Sequence, residues 1–261
     1  MGQLEGKTAV VLGAASEGNM GQTIARLFAK EGAKVMVAGR KEAPLAALAK
    51  EIGGVFCKVD VTKTEDIMNA IEMAKDMGPL RVLVNSAGIG WAQRTVGKDG
   101  SYDSAASLDA YKKVIAINLV GTFDCIRLAA TAMSTTEPLN DGERGAIVNI
   151  ASVAAFDGQI GQAAYSSSKG GVVGMTLPIA RDLAAIGVRV NTVAPGLINT
   201  PIYGEGEGSE QFKEKLQTGV LFPNRLGYGT ELASMVVECV TNSYMNAETI
   251  RVDGGIRMPP K

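Results

Sequence analysis

The 261-residue chain contains no histidine. That rules out a His-based catalytic triad and removes the commonest zinc and non-haem iron ligand, so no metal site is expected. Cysteine is scarce as well. Cys57, Cys125 and Cys239 are odd in number and widely spaced, which predicts reduced core thiols in a cytoplasmic protein, not a disulfide framework. Charge of either sign is not in excess: the formal net charge is −1. Nothing in that balance points to nucleic acid or to a membrane surface as partner. Apolar runs are broken well short of the ~18 residues a membrane span requires. No leader-like segment is read at the start, where QLEGKTAVVLG already combines charge with a strand pattern.

Hydrophobic residues are plentiful at 46%, and 32 glycines predict many tight turns. Short β-branched runs alternate with helical periodicity along the chain. Lys7–Leu12, Lys34–Ala38, GVFCKVDV, Leu80–Val84, Ala146–Ile150, VRVNTVA and AETIRVDGG read as strands. The segments between the first six read mainly as helices, with Thr62 or Thr64 as a candidate cap before TKTEDIMNAIEMAKDMG. Such alternation implies right-handed βαβ units and a parallel sheet. The fold class expected is therefore α/β, a Rossmann-like doubly wound sheet of about seven strands with helices on both faces. Residues 1–261 read as one domain, without internal repeat or linker. Within it, residues 197–222 carry Gly204, Gly206 and Gly208 between Glu205, Glu207 and Glu210. That stretch reads as a flexible substrate lid or as a plain surface loop.

Between the first strand and first helix lies Gly13-Ala-Ala-Ser-Glu-Gly18-Asn-Met-Gly21. A glycine turn entering a helix N-terminus makes an anion cradle, here from Gly13, Ser16, Gly18, Met20 and Gly21, although a purely structural βα turn would look similar. The second strand ends in Gly39-Arg40. In a dinucleotide fold a carboxylate near this point takes the ribose 2′-hydroxyl, while an arginine suits a 2′-phosphate. Gly39-Arg40 thus argues for NADP over NAD. Ligands of such sheets lie beyond the strand C-termini, where Gly13, Gly39, Asp60 and Asn85 fall. Pro195-Gly196 ends the sixth strand and reads either as a rigid turn able to hold a nicotinamide amide or as an ordinary loop.

The stretch from Ser152 to Lys169 carries the chemistry. Tyr165 and Lys169 are four apart, so a helix puts both on one face. Ser152 ends the preceding strand. A phenol titrates near ~10, and a nearby ammonium stabilises the phenolate. Bringing it near neutrality corresponds to about 3–4 kcal/mol and poises it for general acid–base work on a secondary alcohol. Asn118, in an otherwise apolar helical seam, reads as a holder of a relay water or as a structural polar contact.

Taken together, the glycine loop, Asp60-Val61, Asn85-x-Ala87-Gly88, Asn118, Ser152, Tyr165-x-x-x-Lys169 and Pro195-Gly196 resemble the short-chain dehydrogenase/reductase family over essentially the whole chain. The resemblance implies an NAD(P)-dependent alcohol–ketone oxidoreductase with the tetrad Asn118, Ser152, Tyr165 and Lys169. It also implies adenine contacts around Asp60 and Val61, ribose contacts at Tyr165 and Lys169, and nicotinamide contacts at Ile198 and Thr200. A homotetramer is implied too. Longer stretches, notably ASVAAFDGQIGQAAYSSSKGG and FPNRLG, are similar to the type 2 3-hydroxyacyl-CoA branch of that family. Its members oxidise 3-hydroxyacyl-CoA and some steroid alcohols with NAD, and carry an aspartate where Gly39 stands. Two other readings use the same residues: a 3-oxoacyl carrier-protein reductase, and a nucleotide-sensing binding protein without catalysis.

Overall fold

The computed structural model describes residues 2–203 and 206–261. Seven parallel strands form one sheet: β1 (Thr8–Leu12), β2 (Lys34–Gly39), β3 (Val55–Lys58), β4 (Leu80–Asn85), β5 (Gly145–Ile150), β6 (Val188–Pro195) and β7 (Thr249–Val252). Their order is β3-β2-β1-β4-β5-β6-β7. The order reverses between β1 and β4, the point at which doubly wound sheets open a ligand crevice. Period-2 alternation sends successive side chains of β1 to opposite cores. Ala9 and Val11 join one cluster, Val10 and Leu12 the other. All five residues of β1 are buried, as a central parallel strand covered on both faces must be.

Helices α1 (Met20–Lys30), α2 (Glu42–Ile52) and α8 (Gly229–Thr241) cover the first face. On the other lie α3 (Thr64–Met77), α4 (Leu108–Ile115), α5 (Gly121–Ser134) and α6 (Ala163–Leu183). Between α4 and α5 the helix widens to a π segment, Ala116–Val120, in which the Gly121 N–H reaches back five residues to the Ala116 carbonyl. By length and composition the helical run Tyr102–Ser134 passes for a membrane span, with a mean hydropathy of 1.5 over 18 residues. The sequence reading expected no such run. Here α5 packs Cys125, Ile126, Ala129, Ala130 and Met133 into the second core.

One local expectation is corrected. Neither Thr62 nor Thr64 caps α3. The cap position is Lys63, without a side-chain bond; Thr62 Oγ1 donates to Asp60 Oδ1 (2.8 Å) and Thr64 Oγ1 to Asp124 Oδ2 (2.7 Å). Each hydroxyl found a carboxylate acceptor instead of helix N–H groups. Pro178 lies inside α6, which continues to Leu183. Within residues 197–222 the described residues include a 3₁₀ turn (Pro201–Tyr203) and a helix, α7 (Glu207–Gln217), where SEQFKEKLQ supplies mostly good helix formers. Gly204 and Glu205, central to the expected lid or loop, lie outside the described residues.

Candidate active site

The glycine loop is braced from within. Gly13 turns the chain at φ +83°, and a Cβ there would lie 2.5 Å from the Ala87 amide nitrogen. Only glycine fits so close an approach of the first turn to the end of β4. Asn19 caps α1: its Oδ1 accepts from the Gln22 N–H (3.0 Å) and its Nδ2 donates to the Gly13 carbonyl (2.7 Å). Buried Gln22 donates to the Ala14 carbonyl (3.2 Å) and accepts from the Gly18 N–H (3.2 Å). Gly21 is fixed by packing, since its Cβ would stand 2.7 Å from the Gly13 carbonyl oxygen. Met20 and Gly21 open the first turn of α1, whose N–H groups lack intrahelical acceptors.

From this loop a groove runs along the strand ends. Gly13, Ser16, Arg40, Asp60, Val61, Ala87 and Gly88 line it, with Asn19, Lys41, Ile89 and Ile117. Those last four were not singled out in the sequence; Asn19 had a readable signal, an asparagine just before helical periodicity. Asp60 accepts from the Thr62 backbone N–H (3.0 Å), which with the Thr62 hydroxyl holds its carboxyl below the usual range; Arg40 adds a smaller pull. At the second strand end, a Cβ on Gly39 would meet Ala15 Cβ at 2.7 Å. Glycine is therefore what the packing of β2 against the glycine loop admits, and no carboxylate stands there.

Other predicted contacts are fixed by the packing of their own strand ends. Asn85 is buried and donates to Asn149 Oδ1 across the β4–β5 register (2.9 Å). Gly196 is packed on Asp253, where its Cβ would approach to 2.7 Å, and follows buried Pro195 at the end of β6. Ile198 is buried and bridges to Gly227. Thr200 precedes the Pro201–Tyr203 turn, and Pro201 in turn reaches the glycine loop, 3.2 Å from where a Cβ on Gly18 would stand.

Ser152, Tyr165 and Lys169 do converge. Ser152 follows β5 and begins a 3₁₀ turn with its Oγ accepting from the Ala154 N–H (3.1 Å). It also stands near enough to the Tyr165 phenol to favour its ionised form. One turn along α6, Lys169 Nζ lies 5.9 Å from the centroid of the Tyr165 ring and donates to the Ile150 carbonyl (2.7 Å). Lys169 is buried, and burial brings its pKa down to about 8. The Tyr165 phenol is held above its ordinary pKa by burial, against the smaller effect of Ser152. The expected lowering of Tyr165 by Lys169 is thus absent from the free protein: desolvation dominates, and the ammonium is turned to the Ile150 carbonyl.

Asn118 sits in the π segment with no exposed surface. Its Oδ1 accepts from the Ile89 N–H (2.8 Å), and Nδ2 donates to the Ile89 carbonyl (2.9 Å) and to Ser168 Oγ (3.0 Å). Both amide hydrogens are spent, so the side chain brackets the β4 loop against α6 instead of offering them to a relay water. The bracket brings Gly88 close: a Cβ there would lie 3.2 Å from Asn118 Oδ1 and 3.5 Å from Lys169 Nζ.

A phosphate-type cradle, a groove crossing the switch point and a serine–tyrosine–lysine cluster at its end together define a nucleotide-dependent oxidoreductase. The family model for short chain dehydrogenases matches residues 7–210, and the chain belongs to that family. It is an enzyme of the class that acts on CH–OH groups. It is 46% identical over 257 residues to the 3-hydroxyacyl-CoA dehydrogenase type-2 of Drosophila melanogaster, covering 97% of this chain and 99% of that one. A 3-oxoacyl-[acyl-carrier-protein] reductase of Rattus norvegicus is 32% identical over 242 residues, covering 92% of this chain and 94% of the relative. Among solved structures, the 3-hydroxyacyl-CoA dehydrogenase type-2 of Mycobacterium avium superposes with a TM-score of 0.92 at 40% identity, over 99% of each chain.

Proposed function

We propose that this enzyme interconverts a 3-hydroxyacyl and a 3-oxoacyl thioester, with the acyl group carried on CoA and with NADP preferred to NAD. The observation that carries the reaction type is the Ser152–Tyr165–Lys169 cluster beside the groove. The residues present fit a dinucleotide: an α1 N-terminus and Ser16 at one end, and a strand-end groove leading to Lys169 at the other. When bound, the nicotinamide supplies or takes the hydride. Tyr165 gives a proton to, or takes it from, the substrate oxygen. Ser152, beside that phenol, holds the same oxygen in line. Buried Lys169, still largely charged at neutral pH, favours the phenolate once it turns from the Ile150 carbonyl toward a bound ribose. Asn118 acts as a positioning residue, setting Gly88 and Lys169.

The acyl substrate is read from the relatives that cover nearly the whole chain. The cofactor preference rests on Gly39, which removes the carboxylate, and on Arg40 and Lys41 at that end of the groove. Exposed Leu108, Val120, Phe123 and Leu177 on α4 to α6 suit burial against further copies, in a homotetramer. Three buried thiols suit a reducing cytoplasm. Tyr165→Phe tests the reaction: turnover of acetoacetyl-CoA should fall at least a thousandfold while NADPH affinity, read by fluorescence titration, changes less than about threefold. Turnover retained in the variant refutes the assignment.

A further inference from the structure

The loop between Ser152 and Tyr165 is held in place by the C-terminal segment. Its first turn closes on itself: the Ala155 N–H donates to the Ser152 carbonyl (3.0 Å) and the Asp157 N–H to the Val153 carbonyl (2.9 Å). Val153 is buried in a cluster with Val220 and Ile256, and Met258 packs on the same cluster. Arg251 of β7 ties this turn to the segment that follows it. Its Nη2 donates to Asp157 Oδ2 (2.6 Å) and to the Ile256 carbonyl (2.8 Å), and its Nε donates to Asp253 Oδ2 (2.7 Å). The guanidinium carbon lies 5.2 Å from the centroid of the Phe156 ring. Farther on, the Pro260 carbonyl accepts from the Ile160 N–H (2.9 Å), and the Pro259 carbonyl from Gln159 Nε2 (3.0 Å). The far side of the loop rests on α6. A Cβ on Gly158 would lie 2.4 Å from Oγ of Ser166, the residue after Tyr165. One short loop thus joins the two hydroxyls of the site, and Arg251 grips its middle.

An exposed ion pair contributes little. Here the side chains of Arg251 and Asp157 are only 20% and 16% exposed, and the guanidinium serves two carboxylates and a main-chain carbonyl at once. A planar fork held in this way fixes direction as well as distance. We propose that Arg251 is a positioning residue for the reaction: through Asp157 and Phe156 it fixes the turn that begins at Ser152, and so aims the Ser152 hydroxyl at the oxygen that Tyr165 serves. This rests on the proposed roles of Ser152 and Tyr165 and deepens them. The effect of Arg251 on turnover passes through Ser152, and its loss loosens that aim without removing any group that reacts.

A double-mutant cycle separates this role from a merely structural one. Reduction of ethyl acetoacetate, with saturating cofactor and without any CoA, is measured on wild type, Arg251→Met, Ser152→Ala and the double variant. Arg251→Met should lower kcat about ten- to a hundredfold and leave cofactor affinity within about twofold. In the Ser152→Ala background the same substitution should change kcat less than about twofold, because the hydroxyl that Arg251 aims is gone. Asp157→Asn, nearly isosteric, should show the same dependence on Ser152, and it carries the comparison if Arg251→Met does not fold by circular dichroism. A loss in the Ser152→Ala background as large as in wild type marks a structural role and overturns the proposal. So does an unchanged kcat in the folded variant. Failure of the underlying reading looks different: Ser152→Ala then keeps wild-type turnover, and the roles of Ser152 and Arg251 fall together.

Discussion

The proposed preference for NADP should invert on substitution at Gly39, provided the packing there is respected. A Cβ at this position stands 2.7 Å from Ala15 Cβ and 3.4 Å from the Ala15 amide nitrogen. Gly39→Asp alone must push the glycine loop, so it should weaken NADPH and NADH together. Ala15→Gly removes the closest atom, and the double variant Ala15→Gly/Gly39→Asp then presents a carboxylate on an undistorted loop. A carboxylate about 5 Å from a 2′-phosphate is opposed by about 3 kcal/mol per charge pair at an effective dielectric near 20. Exposure at the groove mouth screens this to about 1.5–3 kcal/mol, roughly a 10- to 150-fold loss in NADPH affinity. NADH should tighten, since the carboxylate gains the ribose 2′-hydroxyl as a donor. The assay is paired fluorescence titration with NADPH and NADH on wild type, both single variants and the double variant. An unchanged NADPH-to-NADH ratio in the double variant, with the fold intact by circular dichroism, refutes the placement of the 2′-phosphate at this strand end.

Two further outcomes follow from the geometry. In the cofactor-free protein Lys169 titrates at about 8, below the 10.5 of an ordinary lysine. The unfolded chain therefore holds the additional proton between those values, so Lys169 makes stability rise with pH across that window. Its burial disfavours folding by about 3 kcal/mol below pH 8, a penalty removed by pH 10.5. Urea melts of wild type and Lys169→Met should accordingly shift in favour of wild type by about that amount between pH 7 and 10.5; parallel profiles would contradict it. Asn118→Ala leaves the Ile89 N–H and carbonyl without their bracket inside the protein, and should cost about 2–4 kcal/mol in the same melts. A loss under 1 kcal/mol would show that the bracket is dispensable.

Much of this protein is legible along the chain because its determinants are local. Strand runs such as Lys34–Ala38 and the helix after Gly21 are set by apolar period and glycine stops, and the Tyr165–Lys169 pairing needs only one helical turn. The end-of-strand crevice follows from the parallel alternation itself. What the sequence could not disclose depends on distance in space. Gly39 excludes a side chain because Ala15, 24 positions away in the chain, lies against it. Asn118 is a bracket because the β4 loop and α6 meet around it, and a π segment turned it inward. The direction of the Tyr165 shift reversed for the same reason: adjacency along a helix is encoded locally, whereas desolvation is decided by everything the fold packs around the group.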